Sequence, residues 1–186
     1  MSDLLAIVHN LNRLAALGRT GLLDSPPEEP FYRLTRMATR LLKTPVALVS
    51  LVDRDRQFFK SAIGLPEPWQ TRRQTPLTHS FCKHVVALHE PLVIPDTRKD
   101  PVYRDNPGVR DLKVVAYAGV PLTLAGFDLG AFCVIDDEPR AWSYDEILTL
   151  RDLAECATHE IELRTRLREV EAAWRDATAR VREPQA

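Results

Sequence analysis

A cysteine flanked by histidines is the feature of this sequence that most resembles a reactive site. Cys82 lies in the first turn of a predicted helix, with His79 and His84 close by. The free amide groups of a helix start lower the pKa of a nearby thiol, so Cys82 is a candidate redox-sensitive thiol. Free cysteine is also a common small core residue, and both interpretations stay open.

Other motifs for chemistry are sparse. His79 with Cys82, and Cys156 with His159, have the spacing of two zinc half-sites, which would require their helices to meet. The sequence contains no recognised Ser–His–carboxylate spacing, Walker loop or dinucleotide-binding glycine pattern. We therefore expect no enzymatic activity. Arg72 or Arg73 could contact an anion, although loop arginines are by default solvated.

Composition narrows the class of protein. The 186 residues suit one domain with some additional helix, and 45% hydrophobic residues suffice for a core. A formal net charge of −1 provides no basic field for nucleic acid. Three cysteines, an odd number, suit reduced thiols in a cytosol. The first residues predict neither a signal peptide nor a transmembrane span, so we expect a cytoplasmic protein that does not contact the membrane.

The elements that must position Cys82 include two predicted β-hairpins. Residues 46–52 form an unbroken apolar run, and residues 58–63 form the strand that returns after a charged turn. The second hairpin pairs residues 115–122 with residues 129–135 through residues 125–128. Gly119 and Gly130 permit close backbone approach, whereas Pro121 requires an edge, a bulge or a gap beside it. Apolar residues on both faces of these strands predict central positions in a sheet.

Four longer helices are predicted around these strands. Apolar residues at Leu4, Ile7, Leu11 and Leu14 form one stripe on a helix that ends near Gly18 or Gly21. A second helix begins at Ser25–Glu28 and stops before Pro45, a third is capped by Thr78 or Ser80, and a fourth begins at the capping box Ser143–Glu146. A short strand is predicted at 92–94, with Asp96 capping a turn after it. Residues 64–76 and 103–112 are predicted as loops.

Several ordered motifs resemble one known family. They are Pro45 to Asp53, Phe58-Phe59-Lys60-Ser61, His79-Ser80-Phe81-Cys82, Pro95-Asp96 with Asp105-Asn106-Pro107, Tyr117 to Leu122, and Leu129 to Asp136. Together they resemble the GAF domain, a small-molecule sensor module of bacterial signalling proteins, over roughly residues 28–163. The resemblance implies an α+β fold in which a central antiparallel sheet has helices on one side and a pocket lined by loops and helices on the other.

The resemblance also implies a ligand pocket between the sheet and residues 64–112. The candidate ligand-binding residues are Phe59, Trp69, Phe81, Cys82, Asp96 and Tyr117. Phe59, Phe81 and Tyr117 have ordinary core packing as their alternative. The family's arrangement separates the last helix from the pocket, so we predict no metal site. The Asn-Lys pair of cyclic-nucleotide-binding members and the Cys-His dipeptide of bilin-binding members are absent, and the ligand or cofactor stays unknown.

The final helix continues beyond the predicted domain. Its residues at alternating steps of four and three form a heptad seam: Leu163, Leu167, Val170, Trp174, Ala177 and Val181. We predict an N-terminal dimer-bundle helix at 1–24, a GAF domain at 25–163, and a C-terminal signalling helix and tail at 164–186. The two terminal helices would form a homodimeric bundle, with packing within one chain as the alternative.

Three functions therefore compete. The leading hypothesis is a non-enzymatic sensor whose ligand biases the C-terminal helices, as in family members that precede histidine kinases, diguanylate cyclases or serine phosphatases. The second is a ligand-free dimerisation scaffold. The third is a thiol-based redox sensor or enzyme that uses Cys82.

Overall fold

A six-stranded antiparallel sheet forms the centre of the described chain. The structure is a computed structural model that describes the backbone of residues 2–182 and the side chains of residues 4–179. The strands in chain order are β1 Val46–Val52, β2 Arg56–Ile63, β3 Gln74–Pro76, β4 Leu92–Ile94, β5 Ala116–Leu124 and β6 Phe127–Asp136. Their order across the sheet is β3-β2-β1-β6-β5-β4. The two predicted hairpins, β1–β2 and β5–β6, thus meet at β1 and β6 in the middle.

Helices cover both faces of this sheet. In residues 2–182 they are α1 Ser2–Val8, α2 Leu11–Thr20, α3 Glu29–Leu42, α4 Trp69–Arg72, α5 Cys82–Leu88, α6 Pro107–Asp111 and α7 Tyr144–Arg182, with a 3₁₀ turn at Leu77–His79. The helices α2, α3 and α7 pack on one face through Leu17, Phe31 and Leu150. On the opposite face, α1 and α5 and the segment around α6 pack through Val8, Val85 and Leu112. The α+β class and the two unlike faces predicted from the sequence are confirmed.

The glycines and the proline of the second hairpin have specific structural roles. Ala125 and Gly126 both have positive φ, 50° and 81°, as the tight turn of a hairpin requires. A Cβ on Gly130 would lie 1.9 Å from the Ser50 carbonyl oxygen, so β1 and β6 need glycine there. β4 pairs with β5 only between Tyr117 and Gly119, which leaves that side of Pro121 without a strand. The expected close backbone approach at Gly130 and the gap beside Pro121 are confirmed, whereas the near neighbour of Gly119 is the Tyr117 side chain rather than backbone.

The predicted continuous N-terminal helix was wrong. The chain breaks between α1 and α2, where the Asn10 side chain accepts a hydrogen bond from the Arg13 amide at 3.0 Å and so caps α2. Leu11, which the predicted stripe would bury, is 72% exposed. Arg13 is buried instead, and its guanidinium donates to the carbonyl oxygens of Val8 and Val52. An asparagine side chain thus competes successfully with helix continuation.

Short elements replace two predicted loops, and one predicted cap was wrong. Residues 64–76 contain α4 and β3, and residues 103–112 contain α6. Ser25 does not cap α3, which begins at Glu29; its hydroxyl donates to the Leu22 carbonyl and accepts from the Lys60 ammonium. At the start of α5, which is the third of the predicted longer helices, the Ser80 hydroxyl accepts a hydrogen bond from the Lys83 amide at 3.0 Å. This is the contact expected of a capping side chain.

The last helix begins with the predicted capping box. The Ser143 amide donates to the Glu146 carboxylate at 2.7 Å, and the Glu146 amide donates to the Ser143 hydroxyl at 3.2 Å. The sheet-facing side of α7 is buried as far as Ile161 and Thr165. From Leu163 onward, four seam residues are exposed: Leu163 at 65%, Leu167 at 58%, Val170 at 65% and Trp174 at 68%. The side chain of Val181 and the tail 183–186 lie outside the described residues.

Candidate functional site

An aromatic and sulfur-containing cluster lies between the sheet and α5. It brings together four of the six predicted ligand-binding residues: Phe59 of β2, Tyr117 of β5, Phe81 just before α5 and Cys82 at its start. All four are buried, with exposures of 0%, 1%, 3% and 2% respectively. The Phe81 ring stacks on the Tyr117 ring with centroids 5.3 Å apart. The sequence therefore identified the members of this layer, and the structure packs them against one another.

The segment that carries α6 covers this cluster. Tyr103 packs against Phe81 with ring centroids 5.8 Å apart and against His84 at 5.0 Å. A Cβ on Gly108 would come within 2.7 Å of the His79 carbonyl oxygen, so α6 lies directly against the 3₁₀ turn. Burial lowers the pKa of His84 to about 4, assisted by the Lys83 charge. A neutral His84 therefore belongs to the apolar cover at neutral pH.

Two thiols and a phenol form the polar centre of the cluster. The Tyr117 hydroxyl donates to Cys82 Sγ at 3.4 Å, and Cys82 Sγ lies 3.8 Å from Cys133 Sγ. The Tyr117 hydroxyl occupies space above Gly119, where a Cβ would come within 2.3 Å of it. Burial raises the pKa values of Tyr117 and Cys133. The sequence analysis predicted that Cys133 is a core residue. Its contact with Cys82 depends on the register between β5 and β6, and no sequence pattern predicted that register.

Trp69 lies at the rim of this layer. Its half-buried ring is 5.4 Å from the His79 ring, and the Arg72 guanidinium is 5.9 Å from its centroid. A cleft of about 390 Å³ opens beside it, lined by Trp69, Arg72, Asp55, Arg56 and Gln74 among others. The neighbouring Arg73 points inward, donating to the carbonyl oxygens of Ser25 and Lys60. Of the two arginines considered for an anion contact, only Arg72 therefore lines this cleft.

Asp96 lies apart from the aromatic cluster. It follows β4 and lines a cleft of about 500 Å³ with Pro95, Lys99, Arg140 and Pro139 among others. Hydrogen bonds from Arg98 lower the pKa of Asp96 to about 2. The Arg98 amide also donates to the Asp96 carboxylate at 3.2 Å, which agrees with the predicted capping of a turn. The six predicted residues therefore occupy three places: the cluster, its rim and a separate cleft.

The opposite face of the sheet carries a buried cation that the sequence analysis missed. Lys60 of β2 is 0% exposed, and its ammonium donates to the Ser25 hydroxyl, the Pro26 carbonyl and the Glu28 carboxylate. Glu28 also pairs with Arg164 of α7. A β-bulge near Val49 and Ser50 explains the position, because Ser61 and Phe59 take the paired positions and Lys60 is the extra residue. An apolar strand pattern cannot indicate such a bulge.

Comparison with known proteins identifies the family. Residues 26–161 match the sequence model of the family described as "GAF domain". The chain belongs to the GAF family. Over 131 residues it is 40% identical to a cyclic di-GMP phosphodiesterase of Pseudomonas aeruginosa. That match spans 69% of this chain but only 22% of the relative, so the chain corresponds to about a fifth of that protein's length.

Solved structures share the GAF fold. The blue-light-absorbing form of the PixJ GAF domain from Thermosynechococcus elongatus matches with a TM-score of 0.61 and 20% identity, over 94% of this chain and 99% of that one. A domain attributed to a two-component sensor histidine kinase of Sinorhizobium meliloti 1021 also has a TM-score of 0.61 and 20% identity, covering 80% and 98% of the two chains. At these identities the likeness concerns the fold alone. The family match and the shared fold agree that residues 26–161 form a GAF domain.

The residues that the structure describes contain neither a candidate metal cluster nor a membrane-spanning helix. Among the residues that the structure describes, no group of three or more His, Cys, Asp or Glu side chains is arranged to hold a metal ion. Cys156 lies on α7, on the other side of the sheet from Cys82. Across residues 2–182, no helix has the length and apolar character needed to cross a bilayer.

Proposed function

We propose that this GAF domain is a non-catalytic sensor that binds a small molecule on the α5 face of the sheet and signals through a homodimeric bundle of its terminal helices. Phe59, Phe81, Cys82 and Tyr117 offer an apolar wall with a single hydroxyl and a thiol as polar groups, the usual character of a ligand site. These side chains fill the layer themselves. A ligand therefore enters by displacing the α6 segment that covers the cluster and by moving side chains of the cluster itself.

The observation that carries this proposal is a direct connection from the cluster to α7. Phe59 belongs to the cluster, while the next residue, Lys60, binds Glu28 on the opposite face. Glu28 in turn binds Arg164, at the point where α7 leaves the sheet. A shift of β2 that accompanies displacement of Phe59 therefore acts on the base of the projecting helix. Such a shift alters the angle of α7 and hence the bundle.

Exposed apolar side chains that could form the bundle lie at both ends of the chain. Leu163, Leu167, Val170 and Trp174 remain exposed along α7. Leu5, Ile7 and Leu11 are exposed by 41%, 44% and 72% at the N-terminal helices. These residues are the source of apolar area for a two-fold interface. The output is a kinase, cyclase, phosphatase or phosphodiesterase activity carried by a linked domain or partner, and the Pseudomonas relative favours cyclic di-GMP turnover.

A ligand-free dimerisation scaffold is the second candidate. The observation that favours it is the close packing of Phe59, Phe81 and Tyr117, which leaves each at most 3% exposed. In this case the aromatic layer is ordinary core, and α7 contributes dimer contacts without any ligand signal.

Native mass spectrometry of the freshly purified protein separates these candidates, because one spectrum reports oligomeric state and retained mass. The sensor predicts a dimer with additional mass. Phe81→Leu should reduce the retained mass, while Phe132→Leu, the same change on the opposite face of the sheet, should keep it. A bare dimer for wild type under all conditions supports the scaffold. A monomer contradicts both candidates.

A further inference from the structure

Cys82 and Cys133 bring two free thiols together from distant parts of the chain. Cys82 begins α5, and Cys133 is central in β6, paired with Leu48 on one side and Gly119 on the other. Their sulfur atoms are 3.8 Å apart, in contact, and both residues are at most 2% exposed. The GAF sensor proposal uses this layer only as an apolar wall. It gives no role to a second thiol in contact with the first.

We propose that Cys82 and Cys133 are a redox modification site, at which a hydroperoxide converts the two thiols into one intramolecular disulfide. A disulfide has an S–S distance of about 2.05 Å, so the sulfurs must approach by roughly 1.8 Å. Cys133 is fixed in the middle of the sheet, whereas Cys82 lies on a helix of seven residues at the surface of the sheet. Movement at the start of α5, together with side-chain rotation, therefore closes the gap.

The reaction balances with hydrogen peroxide as the oxidant. The Cys82 thiol first loses its proton, and the resulting thiolate attacks one peroxide oxygen. The O–O bond breaks, the leaving hydroxide takes up the proton that Cys82 released, and the products are a sulfenic acid on Cys82 and one water molecule. Cys133 sulfur then attacks the Cys82 sulfur, the S–O bond breaks, and the hydroxyl leaves with the Cys133 proton as a second water molecule. Two thiols have been oxidised by two electrons, and one peroxide has been reduced to water.

The hydrogen bonds assign the first step to Cys82. Cys82 Sγ has two neighbours that can donate, the Cys133 thiol at 3.8 Å and the Tyr117 hydroxyl at 3.4 Å. The hydrogen bond from Cys133 lowers the pKa of Cys82, burial opposes this effect, and the hydrogen bond from Tyr117 adds to the lowering, whereas burial raises the pKa of Cys133. Cys82 is therefore the attacking thiolate and Cys133 the resolving thiol.

The disulfide would join α5 covalently to the sheet beside the aromatic cluster. A Cys82–Cys133 bond ties the first residue of α5 to the strand at the centre of the sheet, next to Phe81 and Tyr117. Peroxide must first enter a buried layer, so the reaction proceeds through local opening of α5. This site is independent of the ligand proposal, because its oxidation requires neither a bound small molecule nor a dimer.

The test uses hydrogen peroxide and Cys156→Ser protein, because Cys156 is exposed and would otherwise form disulfides between molecules. After treatment, the protein is unfolded in the presence of N-ethylmaleimide and weighed intact. We expect loss of two hydrogen atoms, loss of labelling at both cysteines, a linked Cys82–Cys133 peptide after digestion, and full labelling after reduction. Continued labelling of both cysteines, or oxidation of Cys82 to a sulfinic acid without a linked peptide, would overturn the proposal.

Two single variants separate the roles of the thiols. In Cys133→Ser, Cys82 should accumulate as a sulfenic acid that dimedone captures, because the resolving thiol is missing. In Cys82→Ser, Cys133 should remain reduced, because its buried thiol is not activated. Near-ultraviolet circular dichroism checks that each variant folds. If either does not fold, the linked peptide from Cys156→Ser protein still decides the outcome.

Discussion

His89 and Asp128 illustrate how one surface contact joins two elements and titrates in a predictable direction. His89 ends α5 in the left-handed conformation, with φ of 56°, and its Nδ1 lies 2.5 Å from Asp128 Oδ2 on β6. The Thr123 hydroxyl donates to the other oxygen of the same carboxylate. Asp128 is 4% exposed, so its carboxylate is held in place while the imidazole faces solvent. The pair attaches the end of α5 to the sheet.

We predict that His89→Asn lowers the free energy of unfolding most at acidic pH. The hydrogen bond to Asp128 raises the folded-state pKa of His89, so its stabilisation is fully present below an unfolded pKa of about 6.5 and is lost as pH rises through the raised folded value. Since the imidazole is largely exposed, the loss is at most about 1 kcal/mol. Asparagine tolerates the left-handed backbone, which keeps the conformation comparable.

Urea denaturation of both proteins across the pH range measures this difference. His84, whose pKa burial lowers to about 4, contributes equally to both proteins and cancels in the comparison. His159→Gln, an exposed change on α7, is the control for replacement of a surface histidine. A difference that grows as pH rises would contradict the ion pair.

The resemblance to the family grouped six residues into one ligand site, and the structure packs four of them together: Phe59, Phe81, Cys82 and Tyr117. Their role in ligand binding stays a prediction. The resemblance to the family also grouped Asp96 with them, but its turn holds it at a separate cleft. Cys133 follows Cys82 by 51 positions in the chain, and the two could not be paired in advance because their contact depends on how distant elements pack across the sheet.

The long strands and helices could be predicted from the sequence, whereas the short ones could not. β1 matches its predicted range, 46–52, because an apolar run rich in valine is an intrinsic strand signal, even with Ser50 within it. β3 has three residues and forms because β2 pairs with it, and α4 has four residues, too few for any periodicity. The break before α2 depends on one Asn10 hydrogen bond rather than on hydrophobic pattern.

The bulge in β2 leads to a prediction about Glu28. Glu28→Gln leaves the Lys60 ammonium, at 0% exposure, without a negative partner, and we expect a loss of about 3 kcal/mol in the free energy of unfolding. Arg164→Gln should cost much less, because Glu28 then still neutralises Lys60 and the Arg164 side chain is 31% exposed. Chemical denaturation of the two variants measures this order. Equal losses would show that the two pairs act as one network rather than as a buried pair with an outer contact.

Helix α7 has a part that is buried against the domain and a part that projects from it. The helix has 39 residues, and its sheet-facing side is covered by α3 and the sheet up to Thr165. Packing within one chain therefore accounts for Leu150, Ala154, Ala157 and Ile161. It leaves the seam from Leu163 to Trp174 exposed, and an isolated projecting helix gains little stability of its own. In the homodimer proposed above, a second copy of this chain would present the same seam and cover it by two-fold symmetry.

The exposed seam of α7 can be tested by placing a glutamate on either side of the same helical turn. Val170→Glu places a charge within the seam, whereas Ala172→Glu places it at an exposed position on the outer side of the helix. If the seam is the dimer interface, Val170→Glu buries two carboxylates across the two-fold axis and weakens the dimer at least tenfold, while Ala172→Glu leaves it intact. Sedimentation equilibrium over a range of protein concentrations gives both dissociation constants.

Equal weakening by the two changes would mean that the charge acts on the helix rather than on an interface. A dimer unchanged by Val170→Glu would assign association to the N-terminal helices, where Leu5, Ile7 and Leu11 are the exposed apolar residues.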